Sequence, residues 1–297
     1  MSVEPPFDFE KSAGVFARTA RNLSDVYENG IYYRVLHADG KPVLLLVSSS
    51  GTIHNPILKV EVYPRVLKLE SLKETLRVMF ACSTDFRKFS ELSEKDRVMR
   101  QVSRKLTGLR PIAPPTLFEA LVIAFTEQQI SLEAAMAIRS RIVEKYGESI
   151  RFNGRKYYAF PTTKVLANAN RKGLRKIGLS TRKAEFIKEL SKHLEDGELD
   201  LEDLRSLDDN SAINALMEIR GVGRWTAEYV LIRGMGRSNS LPADDLGIQR
   251  AVSEAYFHGR KVTSADVRTS LGKFAPYSGI AAFYLMVFLF WTQRDRG

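Results

Sequence analysis

Apolar and polar positions follow two different rhythms along this chain, and the change of rhythm divides it. In the first 85 or so residues the pattern is strand-like. The run Ile-Tyr-Tyr-Arg-Val-Leu at 31–36 is rich in β-branched and aromatic side chains, and Asp39-Gly40 then supplies a two-residue turn. Val-Leu-Leu-Leu-Val at 43–47 forms the returning strand, and the alternating run at 57–63 ends at Pro64. These features predict a small antiparallel sheet with a helix near 10–21.

Beyond residue 86 the apolar positions fall at helical spacing. A basic segment, 97–105, leads into the proline-rich linker 110–115. Thr116-Leu-Phe-Glu119 has the form of a capping box, in which the Thr hydroxyl and Glu carboxylate satisfy orphan amides reciprocally. The apolar run after it stops at Glu127-Gln128-Gln129, and Ser131 caps a second helix that closes at Gly147. Polar residues wedged between two apolar helices predict an exposed tip. Further helices are expected at 163–169, 181–195 (Ala184, Ile187, Leu190 and Leu194 on one face) and 211–219. The apolar run at 280–291 is well short of the ~20 residues that span a bilayer, so it predicts a buried helix. Neither a solenoid-period repeat nor a low-complexity tract is present.

Charge and cysteine content narrow the function classes. The formal charge of +10 favours a polyanionic partner through phosphate neutralisation, although a merely basic protein has the same balance. One cysteine, Cys82, excludes an intramolecular disulfide framework and any all-cysteine metal or iron–sulfur site. His37, His54, His193 and His258 are scattered, without metal-ligand spacing to Cys82. The first residues carry neither a basic nor an apolar leader pattern, so no secretory signal is expected.

Candidate chemistry concentrates in 216–229 and 241–249. A helix at 211–219 meets Arg220-Gly221-Val222-Gly223, and a new helix begins near Arg224. Glycines allow positive φ and close backbone approach, and the helix start offers unpaired N–H groups to a phosphate; an ordinary tight αα-turn has the same form. Trp225 and Tyr229 lie four apart on one helix face. Such a pair is either core or a stacking platform for an extruded base, and its π-faces suit a cationic one. Asp244 and Asp245 open a helix expected at 245–257. An aspartate there is an ordinary N-cap, and capping favours its ionised form, which suits it to stabilise a positive sugar or orient water.

At these residues the chain resembles the helix–hairpin–helix DNA glycosylase superfamily, and within it the 3-methyladenine DNA glycosylase II (alkylated-base) group. Ile219-Arg220-Gly221-Val222-Gly223 matches the family's Leu-Pro-Gly-Val-Gly hairpin, with Arg220 in place of proline. The resemblance implies that Arg220, Gly221, Val222, Gly223 and Arg224 form a DNA-binding hairpin. It also implies that Asp245, in Asp-Leu-Gly-Ile, is the catalytic aspartate, with Asp244 its neighbour. Bifunctional members carry a Schiff-base lysine where this chain has Trp225; the alkylation branch has tryptophan there, and Tyr229 matches an aromatic of its base pocket. That branch has a further pocket tryptophan on its penultimate helix, near which Met286 falls, with Tyr284 or Trp291 as substitutes. Glu127-Gln-Gln-Ile-Ser131 matches the loop that fills the gap left by the flipped nucleotide, and Gln129 is the plug. The segments at 174–178 and 183–185 also resemble the family's helical core.

The implied fold is α+β: a small N-terminal antiparallel sheet domain (1–85), then a mainly helical two-lobed core. One lobe is 112–236 with the hairpin; the other, 86–111 with 237–297, carries Asp245. The implied activity is base-excision repair. Alkylated bases of the 3-methyladenine type are flipped out and hydrolytically removed from double-stranded DNA, without lyase activity. No cofactor is expected beyond a structural Na or K ion at the hairpin backbone. A monomer is expected, with no membrane partner, cytoplasmic and nucleoid-associated in a prokaryote or nuclear in a eukaryote. Three rivals stay open: an oxidised-purine (8-oxoguanine) glycosylase with lyase activity, a non-catalytic helix–hairpin–helix DNA-binding protein, and a basic protein that binds no DNA.

Overall fold

The computed structural model describes residues 1–17, 22–65 and 70–294. Near the N-terminus α1 (Phe9–Ala17) precedes a four-stranded antiparallel sheet, and α2 (Glu70–Met79) follows it. Its strands pair in chain order: β1 (Asp25–Glu28), β2 (Ile31–Ala38), β3 (Lys41–Thr52) and β4 (Asn55–Tyr63). The helix expected at 10–21 is α1 as far as Ala17; residues 18–21 lie outside the described residues. Strand β1 is an addition to the expected sheet. It joins β2 through Asn29-Gly30, both with positive φ like Asp39-Gly40 between β2 and β3. Paired positive φ values give a turn whose twist matches the strands it joins.

Both faces of the sheet are covered, which explains the unbroken apolar run in β3. Val43, Leu45 and Val47 pack with Phe7, Phe80 and α2 on one side. On the other, Val35 and Leu44 meet a second hairpin, β5 (Ser149–Phe152) and β6 (Arg155–Tyr158), through Ile150 and Tyr157. This hairpin belongs to a stretch expected to be helical. Its Tyr157 ring stacks on Tyr33 with centroids 5.0 Å apart.

The rest is helical, in two lobes. The first contains α5 (Leu117–Glu127), α6 (Leu132–Tyr146), α7 (Thr163–Ala167), α8 (Arg171–Lys176), α9 (Thr181–Glu195), α10 (Asp209–Met217) and α11 (Arg224–Gly234). Its core joins Leu121, Phe125, Ile187 and Leu231. The second contains α3 (Arg87–Glu94), α4 (Arg97–Lys105), α12 (Leu246–Tyr256), α13 (Ser264–Gly272) and α14 (Ser278–Arg294). Phe89, Met99, Val252 and Phe274 lie in its core. Helix α11 serves both, because Leu231 packs in the first core and its neighbour Ile232 in the second. Helix α14 is the buried apolar helix expected at 280–291, and among the described residues no helix is long and apolar enough to cross a membrane.

Helix α5 is buried from Leu117 to Thr126, as a helix apolar on every face must be. Gly234 lets α11 cross it closely: a Cβ there would stand 2.8 Å from that of Ala120. The capping box expected at its start is half formed. Thr116 Oγ1 accepts the Glu119 amide at 3.1 Å, but the Glu119 carboxylate turns away to accept from Arg34 on β2. Arg34 also donates to Asp25 on β1 at 2.9 Å. A buried guanidinium is a stronger partner than the one backbone amide the box would have offered, so the tertiary contact prevails.

Burial pushes the Glu119 carboxyl upward despite the Arg34 charge beside it. Replacing Arg34 by Met leaves a buried carboxylate without its cation, which costs about 3–5 kcal/mol. Glu119 then rises further, and a raised group stabilises the fold fully only below its unfolded value of ~4.3. The denaturant midpoint of Arg34→Met therefore falls most at neutral pH and approaches wild type as the pH is lowered towards 4.

Candidate active site

Helix α10 ends at Met217, and the chain turns through 218–223 into α11. Of the two hairpin glycines only Gly221 is left-handed, at φ +90; a Cβ there would lie 2.4 Å from the Phe186 ring of α9. Gly223 has φ −97 and ψ 177, so positive φ is not what this position requires. It is the N-cap of α11 with no side-chain cap, and its missing Cβ faces open space. The positive end of α11 is thus presented bare, next to a position where another backbone can approach. Val222 is buried and secures the turn from below.

The two hairpin arginines are already partnered. Arg220 turns back to α9, where Nη1 donates to Glu189 at 2.6 Å and the guanidinium lies over Phe186 at 5.6 Å. Arg224 Nε donates to Glu228 at 3.0 Å, yet more than half of its side chain is exposed.

The polar tip between α5 and α6 docks onto this hairpin. Gln128 Nε2 donates to the Gly221 carbonyl and to Thr226 Oγ1, each at 3.0 Å. From α9, Lys183 Nζ donates to the carbonyls of Thr126 at 3.0 Å and Gln128 at 2.6 Å. Burial holds the Lys183 ammonium below the usual lysine range. Gln129, at φ +57, is exposed at the tip and borders the cleft described next. Asparagine tolerates this conformation better than most residues, so a glutamine there is held by its surroundings.

A cleft of about 1460 Å³ opens where the two lobes and the N-terminal segment meet. Trp225 and Tyr229 of α11 line one wall, with ring centroids 5.5 Å apart, and Met286 and Phe290 of α14 line the opposing lobe. The Tyr229 hydroxyl is pushed above its usual range by burial and by the Glu127 charge, so it stays protonated throughout physiological pH. Asp245 stands between the walls as the N-cap of α12. Its Oδ1 accepts the amides of Gly247 (2.8 Å) and Ile248 (3.0 Å), and Oδ2 accepts Trp225 Nε1 at 3.1 Å. The indole therefore fixes the carboxylate as well as lining the wall. Asp244 borders the same cleft but is exposed and does not cap the helix.

The approach to Asp245 is pinned from α14 and α11. The Ile280 amide donates to the Ser238 carbonyl at 3.1 Å, and Ser240 Oγ donates to the Glu228 carbonyl at 3.0 Å. Gly279 passes so close to Ser240 that a Cβ would overlap its carbonyl at 2.0 Å.

The structure thus brings Asp245, Trp225, Tyr229, Met286 and Gln129 to one cleft beside the glycine turn. Tyr284 does not belong to this group. It is buried in the second lobe, edge-on to Phe89, with its hydroxyl donating to the Leu109 carbonyl at 2.6 Å. Tyr284 stands two residues before Met286 on the same helix and cannot point into the cleft with it, because two residues span about 200° of a helix. Trp291 packs against the same core. Met286 lies on α14, the last described helix, rather than a penultimate one. Sequence reasoning passed over Gln128, Lys183 and Gly279. The adjacent pair Gln128-Gln129 offered a hint of the first; Lys183 acts through contacts 55 and 57 residues away, which no local pattern announces.

Comparisons with known proteins agree on one relationship. Residues 122–276 match the family described as HhH-GPD superfamily base excision DNA repair protein. The DNA-3-methyladenine glycosylase of Bacillus subtilis (strain 168) is 30% identical over 94% of this chain and 93% of its own length. The solved 3-methyladenine DNA-glycosylase from Archaeoglobus fulgidus superposes with a TM-score of 0.85 at 28% identity, covering 98% of this chain and 97% of that one. An 8-oxoguanine glycosylase/lyase of Clostridium acetobutylicum shares the fold, with TM-score 0.76 and 21% identity over 97% and 93% of the two chains.

The two glycines separate by substitution. Gly221→Ala meets both a left-handed backbone and the Phe186 ring, so it costs at least about 2 kcal/mol. Gly223→Ala has room for its methyl and costs about 1 kcal/mol or less, the difference in capping. Thermal unfolding of the pair distinguishes them.

Proposed function

The chain belongs to the HhH-GPD superfamily of base excision DNA repair proteins, and from that premise we propose a monofunctional mechanism for it centred on Asp245. It is a DNA glycosylase of the alkylated-base group. The observation that carries the mechanism is a capped carboxylate standing open to an aromatic cleft beside a bare helix start.

A base inside a duplex is out of reach, so the nucleotide is extruded; unstacking costs a few kcal/mol, less for a damaged base. The N–H groups at Gly223 and the start of α11 seat a backbone phosphate, which positions the strand without reading its sequence. Gln129, at the tip held by Gln128 and Lys183, enters the gap the nucleotide leaves. The extruded base lies in the cleft against Trp225 and Tyr229, with Met286 opposite. Their π-faces favour a cationic base by roughly 0.5–2 kcal/mol. Alkylation that leaves the base positively charged has already weakened the glycosidic bond. Departure of the base then needs little acid catalysis, and the chief demand is on the sugar. Asp245, oriented by two amides and the Trp225 indole, stabilises the positive charge that develops there. Water attacks the sugar, and an abasic site remains.

The backbone carbonyls of the hairpin suit a hard monovalent cation such as Na⁺ or K⁺. Gly221 O already accepts Gln128, and Ile219 O accepts the Val222 amide at 3.0 Å, but a carbonyl oxygen has a second lone pair for an ion. A bound ion would add positive charge beside the phosphate seat.

Strand cleavage through a Schiff base needs an amine at the sugar. Trp225 occupies the position that carries the lysine in lyase members. Lys183, which also borders the cleft, has its ammonium on two carbonyls. These features support hydrolysis alone.

Oligonucleotides carrying different lesions, assayed for free base, test the activity directly; 3-methyladenine is expected among the products. Asp245→Asn is expected to lower base release by at least about a hundredfold while binding to abasic-site DNA survives. Unchanged release by that variant overturns the role of Asp245. Borohydride added during turnover is expected to trap no protein–DNA adduct, and a trapped adduct overturns the monofunctional reading.

A further inference from the structure

Glu228 lies on α11 outside the lining of the cleft and is buried, with only 3% of its side chain exposed. An acidic group at such depth requires charged partners, and it has two. Its Oε1 accepts Arg224 Nε at 3.0 Å. Arg268 of α13 donates Nη2 to both carboxylate oxygens, at 2.8 and 3.1 Å. The same arginine extends Nη1 to the Leu241 carbonyl at 3.2 Å. One residue earlier, Ser240 Oγ bonds the backbone carbonyl of Glu228 itself. Glu228 is therefore joined on one side to the first residue of α11, next to the hairpin turn. On the other side it is joined, by two separate links, to the segment that delivers Asp245.

We propose that Glu228 and Arg268 form a positioning brace that sets the spacing between the phosphate seat and Asp245. This rests on the glycosylase reading above. Neither residue touches the reacting atoms. The brace works because Asp245 and the hairpin sit in different lobes, and reaction requires both to meet one nucleotide. Misplacement by about 1 Å is enough to cost on the order of a hundredfold in rate. Ser240 and α14 hold the segment from one side; the Arg268 fork holds it from the other and ties it to the helix that orients the indole on Asp245. Arg224 and Arg268 together bring one more positive charge than Glu228 neutralises. A phosphate arriving at Gly223 balances it and leaves the brace intact, since Arg224 Nε is committed to Glu228 while more than half of its side chain stays exposed.

The test uses the full chain and a lesion duplex that the wild-type protein processes. Single-turnover base release at saturating enzyme, affinity for a duplex with a tetrahydrofuran abasic-site analogue, and thermal midpoint are measured for Glu228→Gln, Arg268→Met and the double variant. Each single variant is expected to slow release by about ten- to a hundredfold, as loss of an orienting partner does elsewhere, while affinity for the analogue changes by less than about threefold. The double variant is expected to be little slower than the worse single one, because both break the same link. Arg268→Lys retains the charge on Glu228 but lacks a fork to reach Leu241, so it restores stability more than rate. Equal loss of affinity and rate overturns the proposal, as do independent, multiplying effects of the two substitutions. So does a fall in thermal midpoint with unchanged release. Should Arg268→Met fail to fold, Arg268→Lys decides by the same split between rate and affinity. Lack of base release by the wild-type protein would instead count against the glycosylase reading, before any variant is compared.

Discussion

A carboxylate at the start of a helix can satisfy two amides with one oxygen and keep the other for a different task, and this division organises the molecule. Asp245 gives Oδ1 to the first turn of α12 and Oδ2 to the indole of Trp225. The first bond set belongs to the second lobe, and the indole belongs to a helix rooted in the first. The carboxylate is therefore held where the lobes meet, at the open cleft. A side chain with a single acceptor would cap the helix or meet the indole, but not both.

The remaining architecture keeps that meeting point rigid. Helix α11 packs into both cores, so the hairpin, the stacking wall and the Glu228 brace share one rigid element. The tip at 127–131 would be an ordinary solvated connection by its own composition. It becomes part of the site because Gln128 reaches the hairpin carbonyl and Lys183 reaches back from α9. Two hydrogen bonds from the Gln128 side-chain amide and two from a partly buried ammonium hold Gln129 in a conformation it would not choose alone. Preorganisation of this kind is what a plug needs, since an ordering cost met in advance is not met during base extrusion.

The N-terminal sheet is joined to the helical core by charge as well as by packing. Arg34 leaves β2 to meet Glu119 in the first turn of α5, and the β5–β6 hairpin returns from the helical region to cover the far face of the sheet. The cleft borders this junction, with Asp25, Arg34 and Glu119 among its lining residues. The sheet domain is thus a wall of the site rather than an appendage.

Much of this was legible in the residue order, and the reasons are local. Period-two runs and Asp39-Gly40 specify the sheet, helical spacing specifies the core, and Gly-Val-Gly with an aspartate some twenty residues on marks the site. These depend on backbone preferences and on one-sided burial, both of which act over a few neighbours. Short strands escaped: β1 and β5–β6 have four residues each, too few for alternation to show, although Asn29-Gly30 and Asn153-Gly154 marked their turns. What only the tertiary structure decided was the use of side chains that had two local options. Glu119 left its capping box for Arg34; Tyr284 went to the core and Met286, two positions on, to the cleft; Gln128 rather than a backbone group took the Gly221 carbonyl. A capping bond and a buried ion pair differ by a few kcal/mol, and which partner is at hand depends on residues tens of positions away that only folding brings near.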